Sequence, residues 1–328
     1  RMRIFSGIQP TGEMHIGNYL GAVSQWISLQ KQHECFFCVV DLHAITLPQD
    51  SQELKKATKS KVIELLASGI NPETCTLFVQ SHVPEHTELA WILNTITPLG
   101  ELERMIQFKD KAKKQRKEVQ AGLFTYPVLM AADILMYKTE AVPVGQDQMQ
   151  HLELTRGLAK KFNARFGTTF PEPKTILAKE GAKIMSLQDP KKKMSKSDKK
   201  DSFIGVFDEP QVIKKKVAAA VTDTGKEVRY DEKKKPGISN LLTIYSLVAK
   251  HPLKTVEKKF QKKGYAALKK SLADLLVETF EPLRKRKKGL ESRDLYIQEI
   301  LRQGQRKTSS LAQTTMEEVR EKVGLLEP

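Results

Sequence analysis

Five residues, Lys193-Met194-Ser195-Lys196-Ser197, alternate two ammonium groups with two hydroxyls. They lie in the run Lys191–Lys200, which holds six lysines. Mobile point charges and hydroxyls, without a rigid guanidinium fork, suit a polyphosphate whose charge moves during reaction. The same composition also suits a solvated surface loop. Far upstream, His15-Ile16-Gly17-Asn18 opens an apolar helical pattern of Ile16, Leu20, Val23 and Ile27. A helix mouth presents unpaired N–H groups and favours anions. Gly17 removes a Cβ where a flat ring can press on the backbone, and His15 and Asn18 add side-chain donors. A third pattern is Asp133 inside the apolar segment Tyr126–Tyr137, where Tyr126, Met130 and Asp133 share one helical face. An aspartate there is costly unless satisfied, either by a neighbouring group or by a substrate donor. An indole N–H is such a donor and needs one acceptor at the bottom of an aromatic pocket, with Tyr126 and Met130 giving ring and sulfur contacts.

These groups need a frame. Residues 2–8 read as a buried strand, and Gln9-Pro10-Thr11-Gly12 as a turn. A helix runs from near Gly17 to about Lys31. Cys35–Val40 is a second strand, closing with Asp41 and His43. Asp50 and Glu53 cap a helix ending near Gly69. Thr76–Gln80 is a third strand, followed by a helix at 87–97. In the strand Ala141–Val144, Val142 and Val144 point to one side as wall residues. Gly145-Gln146-Asp147-Gln148 then leads into a helix through His151 to about Phe162. That turn fits a nucleoside sugar resting on backbone, with Asp147 and Gln148 as polar contacts. Lys183–Leu187 reads as the last strand. The alternation implies an α/β fold with a parallel sheet and ligands beyond the carboxyl ends of its strands. Residues 109–117, KDKAKKQRK, read as a mobile loop sooner than as an RNA contact. After Phe203 the pattern is helical, at 209–220, 238–250, 265–280 and 290–303, punctuated by Pro210, Pro236, Pro252 and Pro282.

The chain of 328 residues is long enough for two domains, and its net charge of +16 is uneven. Residues 1–202 carry 28 basic and 22 acidic side chains, whereas the shorter remainder carries 27 and 17. That bias points to a polyanion reaching the C-terminal part, nucleic acid before anionic membrane, although excess lysine also serves solubility. Cys35, Cys38 and Cys75 make no disulfide framework. Cys35 and Cys38 lie three apart on a strand, facing opposite sides, so they cannot chelate one metal. All three read as core cysteines of a reducing compartment. No apolar segment reaches membrane-span length and no signal peptide is read. Position 1 is Arg, so the natural start is expected to differ, and a mitochondrial presequence stays open.

The two separated motifs resemble the paired "HIGH" and "KMSKS" elements of class I aminoacyl-tRNA synthetases. FSGIQPTGEMHIGNYLGA, VDLHAIT, TYPVLMAADIL (preceded here by Phe124), VPVGQDQMQHLELTR, KIMSLQDPKKKMSKSD and AVTDTGKEVRYDEKKKPGISNLL extend the resemblance to the bacterial tryptophan branch over essentially the whole chain. The resemblance implies a Rossmann-like catalytic domain at 1–204, a helical anticodon-binding domain at 205–328, and a cytoplasmic homodimer with no membrane association. It implies ATP contacts at Gln9, Pro10, Thr11, Gly17, Asn18, Gly145, Gln146, Asp147, Ile184 and Lys193 through Ser197, that is Lys193, Met194, Ser195, Lys196 and Ser197. It places L-tryptophan against Phe5, Gly7, His43, Tyr126, Met130, Asp133, Val142, Val144 and Gln148. Asn18 stands where the general motif has its second histidine, as is common in this branch. Gln146 stands where the branch usually has Glu, which removes a charge near the ribose.

The expected activity is that of a tryptophan–tRNA ligase. The amino-acid carboxylate attacks the α-phosphorus of ATP, and the 2′-hydroxyl of tRNA(Trp) then takes the acyl group. Lys193, Lys196, Ser195 and Ser197 act as the catalytic charge stabilisers for leaving pyrophosphate, His15 and Asn18 as phosphate ligands. Mg²⁺ travels with ATP, since no carboxylate cage is visible. The alternatives are the tyrosine enzyme, a small-molecule nucleotidyltransferase and a non-catalytic RNA-binding relative.

Overall fold

The computed structural model describes residues 1–106, 120–177, 183–195 and 199–326, and of Gln146 the backbone alone. The stretch 109–117 therefore lies outside the described residues, as do Lys196 and Ser197.

Five short strands form one parallel sheet: β1 Arg3–Ile8, β2 Glu34–Val39, β3 Thr76–Val79, β4 Ala141–Val144 and β5 Lys174–Leu177. Their order is β3-β2-β1-β4-β5. β1 pairs with β2 from Arg3↔Glu34 to Ile8↔Val39 and with β4 at Ile4↔Ala141. Crossovers therefore leave β1 in opposite directions, and the switch point lies between β1 and β4, where open α/β sheets bind ligands. The five residues Cys35–Val39 of β2 are all buried. Both faces of a parallel sheet are covered, so a continuous apolar run is what such a strand requires.

In chain order the helices up to β5 are α1 Ile16–Asn18, α2 Ser24–Leu29, α3 Asp41–Ala44, α4 Ser51–Ser68, α5 Glu85–Asn94, α6 Leu99–Glu103, α7 Ala121–Met136 and α8 Met149–Phe166, with Tyr19–Val23 π-helical. Asp50 caps α4 by accepting from the N–H groups of Gln52 and Glu53 at 3.0 and 2.9 Å. Gly69 ends it with φ of 114°. Five further helices follow: α9 Pro210–Ala218, α10 Pro236–Ala249, α11 Leu253–Phe260, α12 Gly264–Glu291 and α13 Asp294–Val323.

Three sequence expectations are corrected. The fifth strand is Lys174–Leu177, not Lys183–Leu187. Residues 183–187 are extended, but Met185 forms an isolated antiparallel bridge with Lys193. Pro282 does not stop a helix; it sits inside α12 on an exposed face, where water can take the carbonyl that loses its partner. The last helix runs on to Val323.

The chain separates into two compact units. The first holds Arg1–Thr11, Trp26–Ala178 and Arg293–Pro328; the second holds Gly12–Gln25 and Lys179–Ser292. These differ from a single cut at 204/205, because α13 packs onto the sheet unit. Its buried stripe runs Ile297, Ile300, Gly304, Thr308, Ala312, Thr315, Met316 and Val319, with the small residues in the middle. A Cβ on Gly304 would lie 2.0 Å from the carbonyl oxygen of Leu77 in β3. Thr315 Oγ1 donates to the carbonyl of Met136 at 2.8 Å. Arg320 forks onto Glu88 at 2.7 and 2.5 Å. Phe36, Phe78, Leu93, Val128, Leu135, Phe162 and Met316 share the resulting core.

Candidate active site

In the first unit, the chemistry converges on Asp133. It is 1% exposed, in the fourth turn of α7. Its Oδ2 lies 2.7 Å from His43 Nε2. Its Oδ1 lies 2.6 Å from His86 Nδ1 and accepts from Gln80 Nε2 at 2.7 Å. His43 comes from α3, just after β2; Gln80 follows β3; His86 opens α5. The carboxyl ends of two neighbouring strands and two helices thus deliver three donors to one carboxylate.

Donor logic fixes the protons. An ionised carboxylate only accepts, so both histidines carry hydrogen on the nitrogen that faces it. His86 Nε2 pairs with the Tyr137 hydroxyl, 2.6 Å away. Burial, the leading influence, pushes the Tyr137 phenol up and keeps it a donor. Burial also opposes ionisation of Asp133, but His43 and His86, through charge and hydrogen bonds, outweigh it and hold the carboxyl at about 2. A carboxylate has about four lone-pair sites. Two on Oδ1 and one on Oδ2 are used, so Oδ2 keeps room for one more N–H.

Aromatic rings pack against the groups that hold this acceptor. The Tyr126 ring stands edge-on to the His43 ring at 6.2 Å. Burial pushes the Tyr126 phenol up to about 12, and its hydroxyl lies 3.0 Å from His151 Nε2. Phe5 and Phe36 both stack with the Tyr137 ring, at 5.9 and 5.1 Å. Phe5, Val142 and Val144 are buried, and Met130 is half-buried. Gly7 is exposed at the end of β1; a Cβ there would fall 2.8 Å from Val40 Cγ1. Beyond it, Gln9 and Thr11 are half-buried and Pro10 is buried. After β4, Gly145 and Asp147 are exposed and Gln148 is half-buried, donating to Asp147 at 3.1 Å.

In the second unit, His15 caps α1. Its Nδ1 accepts from the Asn18 N–H at 3.3 Å, while Asn18 Oδ1 accepts from the His15 N–H at 3.4 Å. With Nδ1 accepting, the ring proton sits on Nε2, and Asn18 keeps its NH₂ as a donor. The flat ring lying against Gly17 is the His15 imidazole itself: a Cβ on Gly17 would meet its Cε1 and Nδ1 at 2.9 Å and approach Ile184 Cβ at 4.0 Å. Backbone bonds tie this cap to the segment beyond the lysine run, Ile16 N–H to Ile204 O at 2.9 Å and Val206 N–H to Met14 O at 2.8 Å.

The lysine run begins as one strand of a hairpin. Ser186 N–H donates to Lys192 O at 2.8 Å, and Met194 N–H to Ile184 O at 3.0 Å. Met194 is 3% exposed, so it anchors the hairpin in the core, while Lys193 is exposed and Ser195 half-exposed. The basic run at 283–288 is less available than its composition suggests. Arg284 is buried and donates to Glu281 and to Val277 O. Lys285 pairs with Glu281, Lys287 with Glu291 and Lys288 with Glu209.

The family model for class I tRNA synthetases (W and Y) matches residues 1–281. The chain belongs to the class I tRNA synthetases of the W and Y family. The tryptophan–tRNA ligase 2 of Streptomyces avermitilis is 52% identical over 329 residues, covering 99% of this chain and 98% of that protein. Crystal structures of tryptophanyl-tRNA synthetases superpose closely. The Mycoplasma pneumoniae enzyme has a TM-score of 0.90 at 36% identity, covering 99% of this chain and 98% of that one. The Campylobacter jejuni enzyme complexed with ADP and tryptophan has 0.86 at 36%, covering 99% and 100%. Within the family frame, Gln80, His86 and Tyr137 are the residues a sequence reading misses. A buried histidine 47 positions from its carboxylate leaves no local signal.

Proposed function

We propose that this chain is a tryptophan–tRNA ligase, activating L-tryptophan with ATP and passing it to tRNA(Trp). The carrying observation is Asp133: a carboxylate held ionised by three donors, with one acceptor site left among aromatic and apolar side chains. An indole N–H donates and cannot accept, so it complements that site. A phenol matches it less well. The tryptophan-specific name of the relative at 52% identity supports the same choice.

Tryptophan is assigned to Phe5, Gly7, His43, Tyr126, Met130, Asp133, Val142, Val144 and Gln148. The nucleotide is assigned to Gln9, Pro10, Thr11, Gly17, Asn18, Gly145, Gln146, Asp147, Ile184 and Lys193–Ser197, with His15 as a further phosphate ligand. The tryptophan carboxylate attacks the α-phosphorus in line; the P–O bond to pyrophosphate breaks, and the pyrophosphate leaves with its charge met by Lys193, Lys196, Ser195, Ser197 and the His15 cap. No covalent bond to the protein is required. The tRNA 2′-hydroxyl then attacks the carbonyl carbon, releasing AMP.

Mg²⁺ is assigned to the nucleotide as part of the substrate. Among the described residues no group of three His, Cys, Asp or Glu side chains is placed to hold a metal ion, whereas phosphate oxygens suit one. The helices α9–α12 are assigned to the tRNA anticodon. A homodimer is supported by Trp91, Leu99 and Ile106, which are 70%, 67% and 63% exposed within one short stretch. No helix among the described residues is long and apolar enough to cross a membrane, and a cytoplasmic setting is proposed.

The deciding test is amino-acid-dependent ATP–pyrophosphate exchange with tryptophan and with tyrosine, followed by tRNA acylation. Exchange with tryptophan and not tyrosine is expected. Absence of exchange with either would refute catalysis, and exchange with tyrosine alone would refute the substrate.

A further inference from the structure

Asn240, in the second turn of α10, is 5% exposed and forms two hydrogen bonds to a single residue. Its Oδ1 accepts from the Met185 N–H at 2.8 Å, and its Nδ2 donates to the Met185 carbonyl at 2.9 Å. The bridge between Met185 and Lys193 explains why Met185 needs this partner. The hairpin bonds are made by its neighbours, Ile184 O to Met194 N–H and Ser186 N–H to Lys192 O. In an extended strand successive peptide groups point to opposite edges. The N–H and C=O of Met185 therefore face away from the lysine strand and would be unpaired on that edge. The side-chain amide of Asn240 carries one donor and one acceptor, the same pair a neighbouring strand would supply.

The helix bearing Asn240 is itself fixed at this place. A Cβ on Gly237, one turn earlier, would lie 2.1 Å from the carbonyl oxygen of Val221. Val221 in turn donates its N–H to Leu187 O at 2.8 Å, and Leu187 donates to Ser202 O at 2.9 Å. Helix start and hairpin strand are thus locked in register by backbone packing on one residue and by Asn240 on another. A glutamine would reach too far, and an aspartate would set an acceptor against the Met185 carbonyl.

We infer that Asn240 is a positioning residue for adenylate formation, standing in for a third strand and fixing the height of the hairpin from which Lys193 projects. This rests on the proposed ligase activity and adds a residue that touches neither substrate. A displacement of about 1 Å at a catalytic group costs on the order of 10²-fold in rate.

The test uses the full chain carrying Asn240→Leu, which fills the space with neither bond, and Asn240→Asp, which keeps the shape and reverses one. Tryptophan-dependent pyrophosphate exchange is compared with tryptophan binding measured without nucleotide. Both variants should lose about 10²-fold in kcat/KM for ATP while the tryptophan dissociation constant stays within about twofold. A role in packing alone would leave Asn240→Leu close to the unmutated protein, and that result would overturn the inference. So would a parallel loss of tryptophan binding. Hydrogen exchange on the unmutated chain gives a reading independent of either variant folding: the Met185 amide should be strongly protected, and exchange at the rate of an unstructured peptide would overturn the clamp. If the unmutated chain shows no exchange activity with tryptophan, the ligase reading fails, whatever Met185 protection shows.

Discussion

Asp133→Asn separates the recognition of tryptophan from the stability of the fold. Removing the side chain altogether, as in Asp133→Ala, would strand the N–H groups of His43, His86 and Gln80, whose nitrogens now lie 2.6–2.7 Å from the carboxylate oxygens. Three buried donors at about 1–3 kcal/mol each amount to about 3–9 kcal/mol. That is comparable to the whole stability of a domain, about 5–15 kcal/mol, so loss of folded protein is the expected result for alanine. Asparagine behaves differently. Its oxygen, placed at Oδ1, still accepts from His86 and Gln80. Its NH₂, placed at Oδ2, faces His43, which can accept by moving its proton to the other ring nitrogen. What disappears is the charged acceptor offered to the substrate. A hydrogen bond to a charged group contributes about 1.5–3 kcal/mol, or roughly 10- to 150-fold. The expected outcome is a fall of that size in kcat/KM for tryptophan in pyrophosphate exchange, with KM for ATP within about twofold. Unchanged tryptophan kinetics in a folded Asn variant would refute the assignment of Asp133 to the indole.

The same carboxylate predicts a pH effect on stability. Its value falls from an ordinary 3.8 to about 2 on folding, so its contribution is complete above about pH 4 and lost as pH drops toward 2. The size is about 2 kcal/mol, and urea midpoints should show that slope in the unmutated chain but not in Asp133→Asn. Gly17→Ala should push the His15 ring out of its cap and slow exchange, while tryptophan binding measured alone holds; full activity would remove the cap from the mechanism. Gly304→Ala drives a methyl into the Leu77 carbonyl and should cost about 1–3 kcal/mol or more, read as a Tm lower by several degrees. For the proposed homodimer, Trp91→Arg should shift the sedimentation coefficient from dimer to monomer; a dimer unmoved by it places the interface elsewhere, and a monomeric unmutated chain refutes the dimer.

Much of this was readable before any coordinates, and the exceptions share a cause. β1, β2 and β4 are apolar runs bounded by turn residues, and period and composition reveal such strands directly. β5 escaped because it is an edge strand, KTIL, half-exposed and flanked by charges. Residues 183–187 do have strand character, but pairing partners are not written in a strand. The middle of the α13 stripe, Gly304 to Thr315, is glycine, threonine and alanine, which carry little hydrophobic signal although they permit the closest approach of backbones. At the site, Asp133 with Tyr126 along one face was legible from helical spacing. Gln80 and His86 were not, because their link to Asp133 spans 53 and 47 residues.

The late return of α13 to the sheet has a consequence for biosynthesis. β3 leaves the ribosome early, yet the helix that covers it is encoded about 215 residues later, from Asp294 onward. At about 5–20 residues per second that interval is roughly 10–45 s. Through that time Leu77 and Phe78 sit on a strand whose cover has not been made, so the nascent chain presents a sticky edge to which a ribosome-associated chaperone would have reason to bind.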